Sequence, residues 1–446
     1  MKPPHAIVFC ASIGLALSLG AVAPAATGHS VAFARTANYG AGDSPWATAV
    51  GDLNADGKPD LIVSRGGEDG SAGSVGVMLN QSGGTFGARQ DYSSGSGPAD
   101  VLIADLDGDG RKDLVTANSL EDTISIFPGG ADGAFGVPQF YPTGGSIPAG
   151  IAAGDFDRDG LVDLVLAGSR ADTVAVMFNS PYGFWGPVQT QAGDNPVAIA
   201  VGDVNRDGRL DAVTANQLAG SVSVLLGNGS WSFAVRADYG VGNQPSDVAI
   251  GDLNGDGWPD LVTANTDPNT VSVLLNDRTA AFGPPRDYAV GLSPSSVAIG
   301  DLDGDGKVDV GAANAEDSSV SVLLGKGDGT YEKRRDYQTG DGAHSLSLAD
   351  LNGDGRLDLA TANSYDNNVS VLLNSPGLCD VQDVTGKTVA STRATLKRFD
   401  CRVGKVVRRY SKSMARGRVI SQKPGFGAVL PGGGKVRLVV SIGRKR

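Results

Sequence analysis

From residue 45 to residue 375 the apolar and polar positions repeat one short programme. An apolar run such as Val248-Ala249-Ile250 leads into a polar, glycine-bearing loop, and a second run, Leu261-Val262, leaves it. An alternating segment follows, clearest at Ser221-Val222-Ser223-Val224 and Ser321-Val322-Leu323. Period two predicts a strand with one buried face, because successive side chains point to opposite sides. Glycine-rich turns come next, as at Gly227-Asn228-Gly229 and Gly327-Asp328-Gly329, and a last short strand ends on an aromatic, as at Asp238-Tyr239. Each unit therefore predicts four strands and no helix. A proline stands seven residues before the loop in six units, at Pro45, Pro98, Pro148, Pro196, Pro245 and Pro294, with Ala343 in the seventh.

The loop itself is D-x-[DN]-x-D-G-x-x-D, and its copies start at Asp52, Asp105, Asp155, Asp203, Asp252, Asp301 and Asp350, at intervals of 53, 50, 48, 49, 49 and 49 residues. Positions 1, 3, 5 and 9 carry Asp52, Asn54, Asp56 and Asp60 in the first copy, then Asp105, Asp107, Asp109 and Asp113. The third and fourth copies carry Asp155, Asp157, Asp159 and Asp163, then Asp203, Asn205, Asp207 and Asp211. The last three carry Asp252, Asn254, Asp256 and Asp260; Asp301, Asp303, Asp305 and Asp309; and Asp350, Asn352, Asp354 and Asp358. Calcium takes six to eight oxygens, and alternating oxygen side chains in a tight turn supply them. The glycine at position 6 allows the sharp turn, and position 7 offers its carbonyl whatever its side chain. The spacing is near that of an EF-hand, but the last carboxylate comes at position 9 instead of 12, and strands, not helices, follow. The residues predict up to seven calcium ions with a structural role; the alternative is a set of acidic turns without metal. Loops with Asn at position 3 have fewer ligand charges and are expected to bind less tightly. Four-stranded units repeated seven times predict an all-β, seven-bladed β-propeller.

Aromatics keep the same beat. Phe86, Phe135, Phe184, Phe233, Phe282 and Tyr331 are each 49 residues apart, and Tyr92, Tyr141, Tyr239, Tyr288 and Tyr337 follow six residues later. The seventh unit stops at Asn374-Ser375-Pro376-Gly377 without such a pair, but Phe33 and Tyr39 supply one at the other end of the chain. The N-terminal strand, about Phe33 to Tyr39, is therefore expected to complete the last blade and remove the open sheet edges. Packing between blades is the expected task of these rings, with sugar stacking as the alternative.

On these residues the chain resembles FG-GAP or VCBS repeats, the family that includes the integrin α-subunit head, over residues 33–377. The resemblance implies calcium loops between strands on one side of a ring. The Phe-Gly signature survives at Phe86-Gly87, Phe135-Gly136 and Phe282-Gly283.

Residues 1–25 read as a signal peptide: Lys2, an uncharged apolar run from Ala6 to Ala23, and small residues at Ala23-Pro24-Ala25. Ala32-Phe33-Ala34 is a second candidate cleavage site, but it would remove Phe33; an uncleaved anchor is the other alternative. No later segment is long and apolar enough to span a bilayer. Export fits loops that fill at millimolar calcium. It also leaves Cys379 and Cys401 as an even pair, which predicts a disulfide closing about 22 residues and contributing about 3 kcal/mol. Two free thiols are the alternative.

The net charge of −12 hides a polarity. Residues 379–446 hold 17 Lys or Arg against three Asp, or +14; the rest holds 20 against 46, or −26. Of those 46 acids, 24 are the loop positions above, so metal-free loops carry strong self-repulsion. The basic end predicts a short helix from Thr388 to Phe399, with Val389, Leu396 and Phe399 on one face. It also predicts strands at Lys405-Val406-Val407, Arg418-Val419-Ile420 and Val436 to Val440. Gly417 to Gly425, Leu430-Pro431 and Gly434-Lys435-Val436 resemble a PASTA domain, here placed at 379–442 with a basic tail at 443–446. That resemblance implies a small α+β module of extracytoplasmic bacterial proteins, some of which bind peptidoglycan fragments. Peptidoglycan or an anionic wall polymer is the expected partner of the basic domain, with a merely solubilising surface as the alternative; nucleic acid is not expected.

No Gly-x-Ser-x-Gly elbow or zinc-type His/Cys spacing is present, and His344, where the repeat breaks, reads as drift. The sequence thus predicts a secreted or cell-envelope, calcium-stabilised, non-enzymatic binding protein, with a glycan or protein ligand on a propeller face. The alternative is a secreted carbohydrate-active lyase or hydrolase. Repeat-breaking residues are the candidate ligand contacts: Arg65 and Glu68 in unit one, Tyr182 and Trp185 in unit three.

Overall fold

The computed structural model describes residues 31–66, 73–375, 378–381, 383–398, 401–425, 429–431 and 434–444. The signal-peptide reading, Glu68 and Phe399 lie outside the described residues. The described chain divides into two compact units, one holding Ala37–Val371 and the other the residues from Leu372 onward with residues 31–36.

The first unit is built from four-stranded antiparallel sheets, seven among the described residues. The second sheet is typical: Pro98–Ala104, Asp113–Asn118, Thr123–Phe127 and Gln139–Pro142, paired in chain order. Each acidic loop joins the first strand to the second. Ala104 pairs with Asp113 across it, as Gly251 does with Asp260 and Gly300 with Asp309. The seventh sheet breaks chain order. It runs Phe33–Gly40, Asn368–Asn374, Asp358–Asn363, Ser347–Ala349, so the N-terminal strand takes the outer place.

The middle strands are buried on both faces, not one. Ser319–Leu323 is buried throughout, and Ser223, Ser272, Ser321 and Ser370 are all inaccessible. The sequence expectation of a half-exposed strand fails here because each sheet is covered on both sides by its neighbours. One apolar cluster, for instance, joins Val262, Val271 and Val273 of the fifth sheet to Val297, Val310 and Leu323 of the sixth. The alternating serines are kept because a buried hydroxyl needs a partner. Asn265 Nδ2 donates to Ser272 Oγ at 2.8 Å, Thr263 Oγ1 donates to Asn265 Oδ1 at 3.0 Å, and Ser272 Oγ donates to Asp287 at 2.6 Å. The Asn-to-Ser bond recurs at Asn118, Asn216 and Asn363.

Neighbouring sheets are tied in two further ways. Tyr92 meets Phe135 edge-on at 5.5 Å, Tyr141 meets Phe184 at 5.7 Å, Tyr239 meets Phe282 at 5.3 Å and Tyr288 meets Tyr331 at 5.3 Å. Tyr39, on the N-terminal strand, meets Phe86 in the same way at 5.3 Å. At the inner strands, a Cβ on Gly251 would collide with Ile299, which is why the residue before the loop is small. There, Asp247 accepts from Val248 N, Val297 N and Ser296 Oγ, the last two on the next sheet. Thr48 of the first sheet shares hydroxyl contacts with Ser345 and Ser347, at 3.0 and 2.8 Å.

The second unit places the helix Val389–Arg398 with a three-stranded sheet ordered Arg402–Arg409, Lys435–Ser441, Val419–Lys423, parallel and then antiparallel. Leu396, Val419, Val436, Leu438 and Val440 form its buried side, and Leu378–Asp380 pairs with Val429–Pro431. The helix and strands stand where the apolar pattern put them. Val389 is only half-buried; Thr392, inaccessible, shares the inner face with Leu396. Cys401 is buried and disulfide-bonded, and Cys379 stands on the short strand Leu378–Asp380. Among the described residues no helix is long and apolar enough to cross a membrane.

Candidate metal centres

The loops share one backbone path. Position 6 has left-handed φ in every copy, from 81° to 91° (Gly57, Gly110, Gly160, Gly208, Gly257, Gly306, Gly355). L-residues with a Cβ pay for that conformation, so glycine there is a steric requirement. Position 4 is left-handed too, at Ala55, Gly108, Arg158, Arg206, Gly255, Gly304 and Gly353. Four of these are glycine, a signal in the sequence that the loop pattern alone passes over.

The turn is held by position 1. Asp252 Oδ1 accepts from Gly255 N and Asp256 N, and its Oδ2 accepts from Gly257 N at 2.8 Å. Position 9 is the buried anchor. Asp309 Oδ2 accepts from Leu302 N at 2.8 Å and its Oδ1 from Gly325 N at 2.7 Å; Asp60, Asp113, Asp163, Asp211 and Asp260 repeat both bonds. Burial pushes Asp309 up to about 7 and Asp163, Asp211 and Asp260 up to about 6; the backbone donors oppose the rise, and the neighbouring loop aspartates add to it. Asp60 and Asp113 shift the same way, burial again leading.

Three loops gather three carboxylates each: Asp105, Asp107 and Asp113; Asp155, Asp157 and Asp163; Asp301, Asp303 and Asp309. One oxygen from each lies within 4.8 Å of the others. These are the three loops with Asp at position 3. In the remaining four, Asn54, Asn205, Asn254 and Asn352 hold that place. Position 5 stands apart from the three clusters. Asp56, Asp109, Asp207 and Asp305 pair instead with the position-7 cations Lys58, Arg111, Arg209 and Lys307, at 2.9, 3.5, 3.3 and 2.6 Å. Asp256 pairs with Arg278 at 3.2 Å, and Asp159 and Asp354 accept from the position-7 backbone N–H. The exposed pairs contribute little to stability, because solvent screens them. The donor set is all oxygen and anionic, and its burial and mutual repulsion favour a hard divalent cation.

The repeat recurs in known proteins. FG-GAP-like repeats match at residues 52–116, 105–166, 155–214, 207–263, 252–312 and 301–361. The chain belongs to the FG-GAP repeat family. A PASTA domain matches at residues 380–442. Solved structures similar to this FG-GAP chain include BBS1N in its complex with ARL6DN: 12% identity, TM-score 0.55, 78% of this chain and 98% of that one. They also include a catalytically inactive virginiamycin B lyase of Staphylococcus aureus with quinupristin (12%, 0.51, 77% and 99%) and a protein of Lactobacillus plantarum (17%, 0.52, 68% and 87%). At these identities the likeness shows the fold, a β-propeller, and nothing of the ligand.

The candidate ligand contacts separate. Arg65 is half-buried and occupied, donating to Ser74 Oγ and lying 3.5 Å from Asp91. Tyr182 is fully exposed and Trp185 is 41% exposed. Trp185 stacks on Phe178 at 4.9 Å and meets Trp231 edge-on at 5.4 Å. Trp231, 59% exposed, comes from the next repeat and escaped the sequence reading. Its signal was a tryptophan in a turn that is otherwise Gly-Asn-Gly-Ser.

Proposed function

We propose that this FG-GAP and PASTA protein is an exported, non-enzymatic binding protein whose propeller closes as seven blades through the N-terminal strand and is stiffened by calcium. The observation that carries the reading is the position-9 carboxylate, buried in all seven loops and gathered with the position-1 and position-3 carboxylates in three of them. Asp105, Asp107 and Asp113 and their counterparts would hold the ion, with Asn54, Asn205, Asn254 and Asn352 substituting an amide oxygen. Bound calcium supplies charge compensation there, pinning the first two strands of each blade. Closure is supported by the Tyr39–Phe86 contact and by Asn80, which donates to Leu351 O at 2.8 Å as Asn179 does to Leu106 O and Asn276 to Val204 O. Tyr182, Trp185 and Trp231 form the candidate ligand platform, suited to the apolar face of a sugar.

The PASTA domain is proposed to contact the cell wall, with Cys379 as the partner of Cys401. Its sheet places like charges opposite one another: Arg402 pairs with Lys435, and Lys423 with Arg437, all four exposed. Such pairs are destabilising on their own, and an anionic polymer laid across them relieves the repulsion. The test is co-sedimentation with purified peptidoglycan, with and without wall polyanions, in millimolar calcium. The native chain is expected to pellet and the Lys423→Gln, Arg437→Gln variant to stay soluble. Pelleting of both to the same extent removes this sheet face from the reading; a native chain that stays soluble ends the wall-contact reading.

A further inference from the structure

The inner strands line a partly open cavity of about 310 Å³ at the loop end of the first unit, which takes in Asp52 of the first metal loop. Its wall is mostly apolar: Ala49 from the first sheet, Ile103 from the second, Ile299 from the sixth, and Leu346 and Leu348 from the seventh, with Thr48 and Ser347 adding hydroxyls. Charge enters its lining through Lys112 and Asp52. The two differ in what they already hold. Asp52 accepts from Asp56 N and Gly57 N within its own loop, where, on the function proposed above, bound calcium offsets its charge. Lys112 is exposed and makes no ion pair among the described residues; the neighbouring Arg111 takes Asp109. Lys112 occupies position 8 of its loop, and that position is Pro, Val or Leu in the other six copies. The repeat therefore sets an apolar residue here six times and a cation once, beside an apolar chamber.

We infer that this chamber binds an amphipathic anion, a saturated carboxylate of about ten carbons, with its chain among Ala49, Ile103, Ile299 and Leu348 and its carboxylate on Lys112. Apolar cavities stay dry and take apolar guests, and the volume matches roughly ten water-sized groups. A mostly apolar pocket with one placed charge orients its ligand by that charge. Neither a sugar nor a wall polymer fits such a lining, so this site is separate from the aromatic platform and from the basic sheet.

The test is calorimetric titration of the full chain, calcium present, with decanoate and with decanol. Decanoate is expected to bind about tenfold more tightly than decanol, because the charge-assisted contact with Lys112 is available to the carboxylate alone. Lys112→Gln is expected to erase that preference while leaving decanol unchanged. Ala49→Phe, which fills the chamber, is expected to weaken both ligands about tenfold, with thermal melting confirming that it folds. Equal affinity of the native chain for the two ligands, or no heat from decanoate up to about 1 mM, overturns the inference; so does undiminished binding to a folded Ala49→Phe variant.

Discussion

Removing divalent cations at two pH values probes the loops most directly. Extracellular calcium modules bind with Kd of about 10⁻⁴ to 10⁻³ M. At about 1 mM calcium each site then adds roughly 0.4 to 1.4 kcal/mol, and seven sites about 3 to 10 kcal/mol. Chelation at pH 7.5 should therefore lower the melting temperature by several degrees or more. The pH dependence follows from the position-9 carboxylates, which must be deprotonated to take the metal. Their folded-state values are raised, so protons compete as pH falls through them: at Asp309 from about 7, at Asp163, Asp211 and Asp260 from about 6. At pH 5.5 the competition weakens apparent affinity about 30-fold in the Asp309 loop and about fourfold in the other three. In the metal-free protein the same groups act in the opposite sense. A raised carboxylate stabilises the fold as pH drops through its folded value, and the gain is complete below the unfolded value near 3.9. The assay is differential scanning calorimetry with calcium or with chelator, at pH 7.5 and 5.5. The calcium-dependent difference should shrink sharply at the lower pH. An identical melting temperature with and without calcium at pH 7.5, or a difference that does not fall at pH 5.5, would refute the reasoning.

Three further outcomes are expected. Asp247→Ala strips the acceptor from Val248 N, Val297 N and Ser296 Oγ and should cost about 3 to 5 kcal/mol in urea unfolding, with Asp247→Asn milder. Burial lowers His344 to about 4, beside Trp46 at 4.6 Å. The unfolded chain takes the proton first, so His344 by itself should remove roughly 3 kcal/mol between pH 6.5 and 4, read as the difference between the native chain and His344→Gln over that range. Phe86→Ala and Phe282→Ala should cost the same, about 3 to 4 kcal/mol each, if the Tyr39 contact equals the Tyr239 contact; a much smaller cost at Phe86 would count against closure by the N-terminal strand.

Much of the repeat was legible in the chain. The period located every strand pair around its loop, because a turn built on left-handed positions needs glycine wherever it recurs. The aromatics six residues apart anticipated the place of Tyr39, since the ring contact found between four other pairs of neighbouring sheets recurs between Tyr39 and Phe86. Burial was less legible. Ser-Val-Ser-Val has the same period whether one face is wet or both are covered; only the stacking of Ser272 against Asn265 and Asp287 distinguishes them. The candidate contacts fared unevenly for the same reason. A residue that breaks the repeat is visible as such, but whether it is spent, like Arg65, or free at the surface, like Tyr182, depends on neighbours distant in sequence.

By itself the amino-acid sequence determined the local chemistry: which residues offer oxygens, where the backbone must turn left-handed, which runs are strands, and where an acidic repeat gives way to a basic module. These follow from spacing within a few residues. The tertiary structure alone decided which of those oxygens converge. In three loops positions 1, 3 and 9 meet while position 5 stays outside the cluster, turned to a neighbouring cation at Asp109 and Asp305, and position 9 is buried and held by two backbone donors. It also decided that Trp231 joins Trp185 and that Lys112 faces an apolar chamber. Each pairs residues from different repeats, and no local pattern encodes the distance between them.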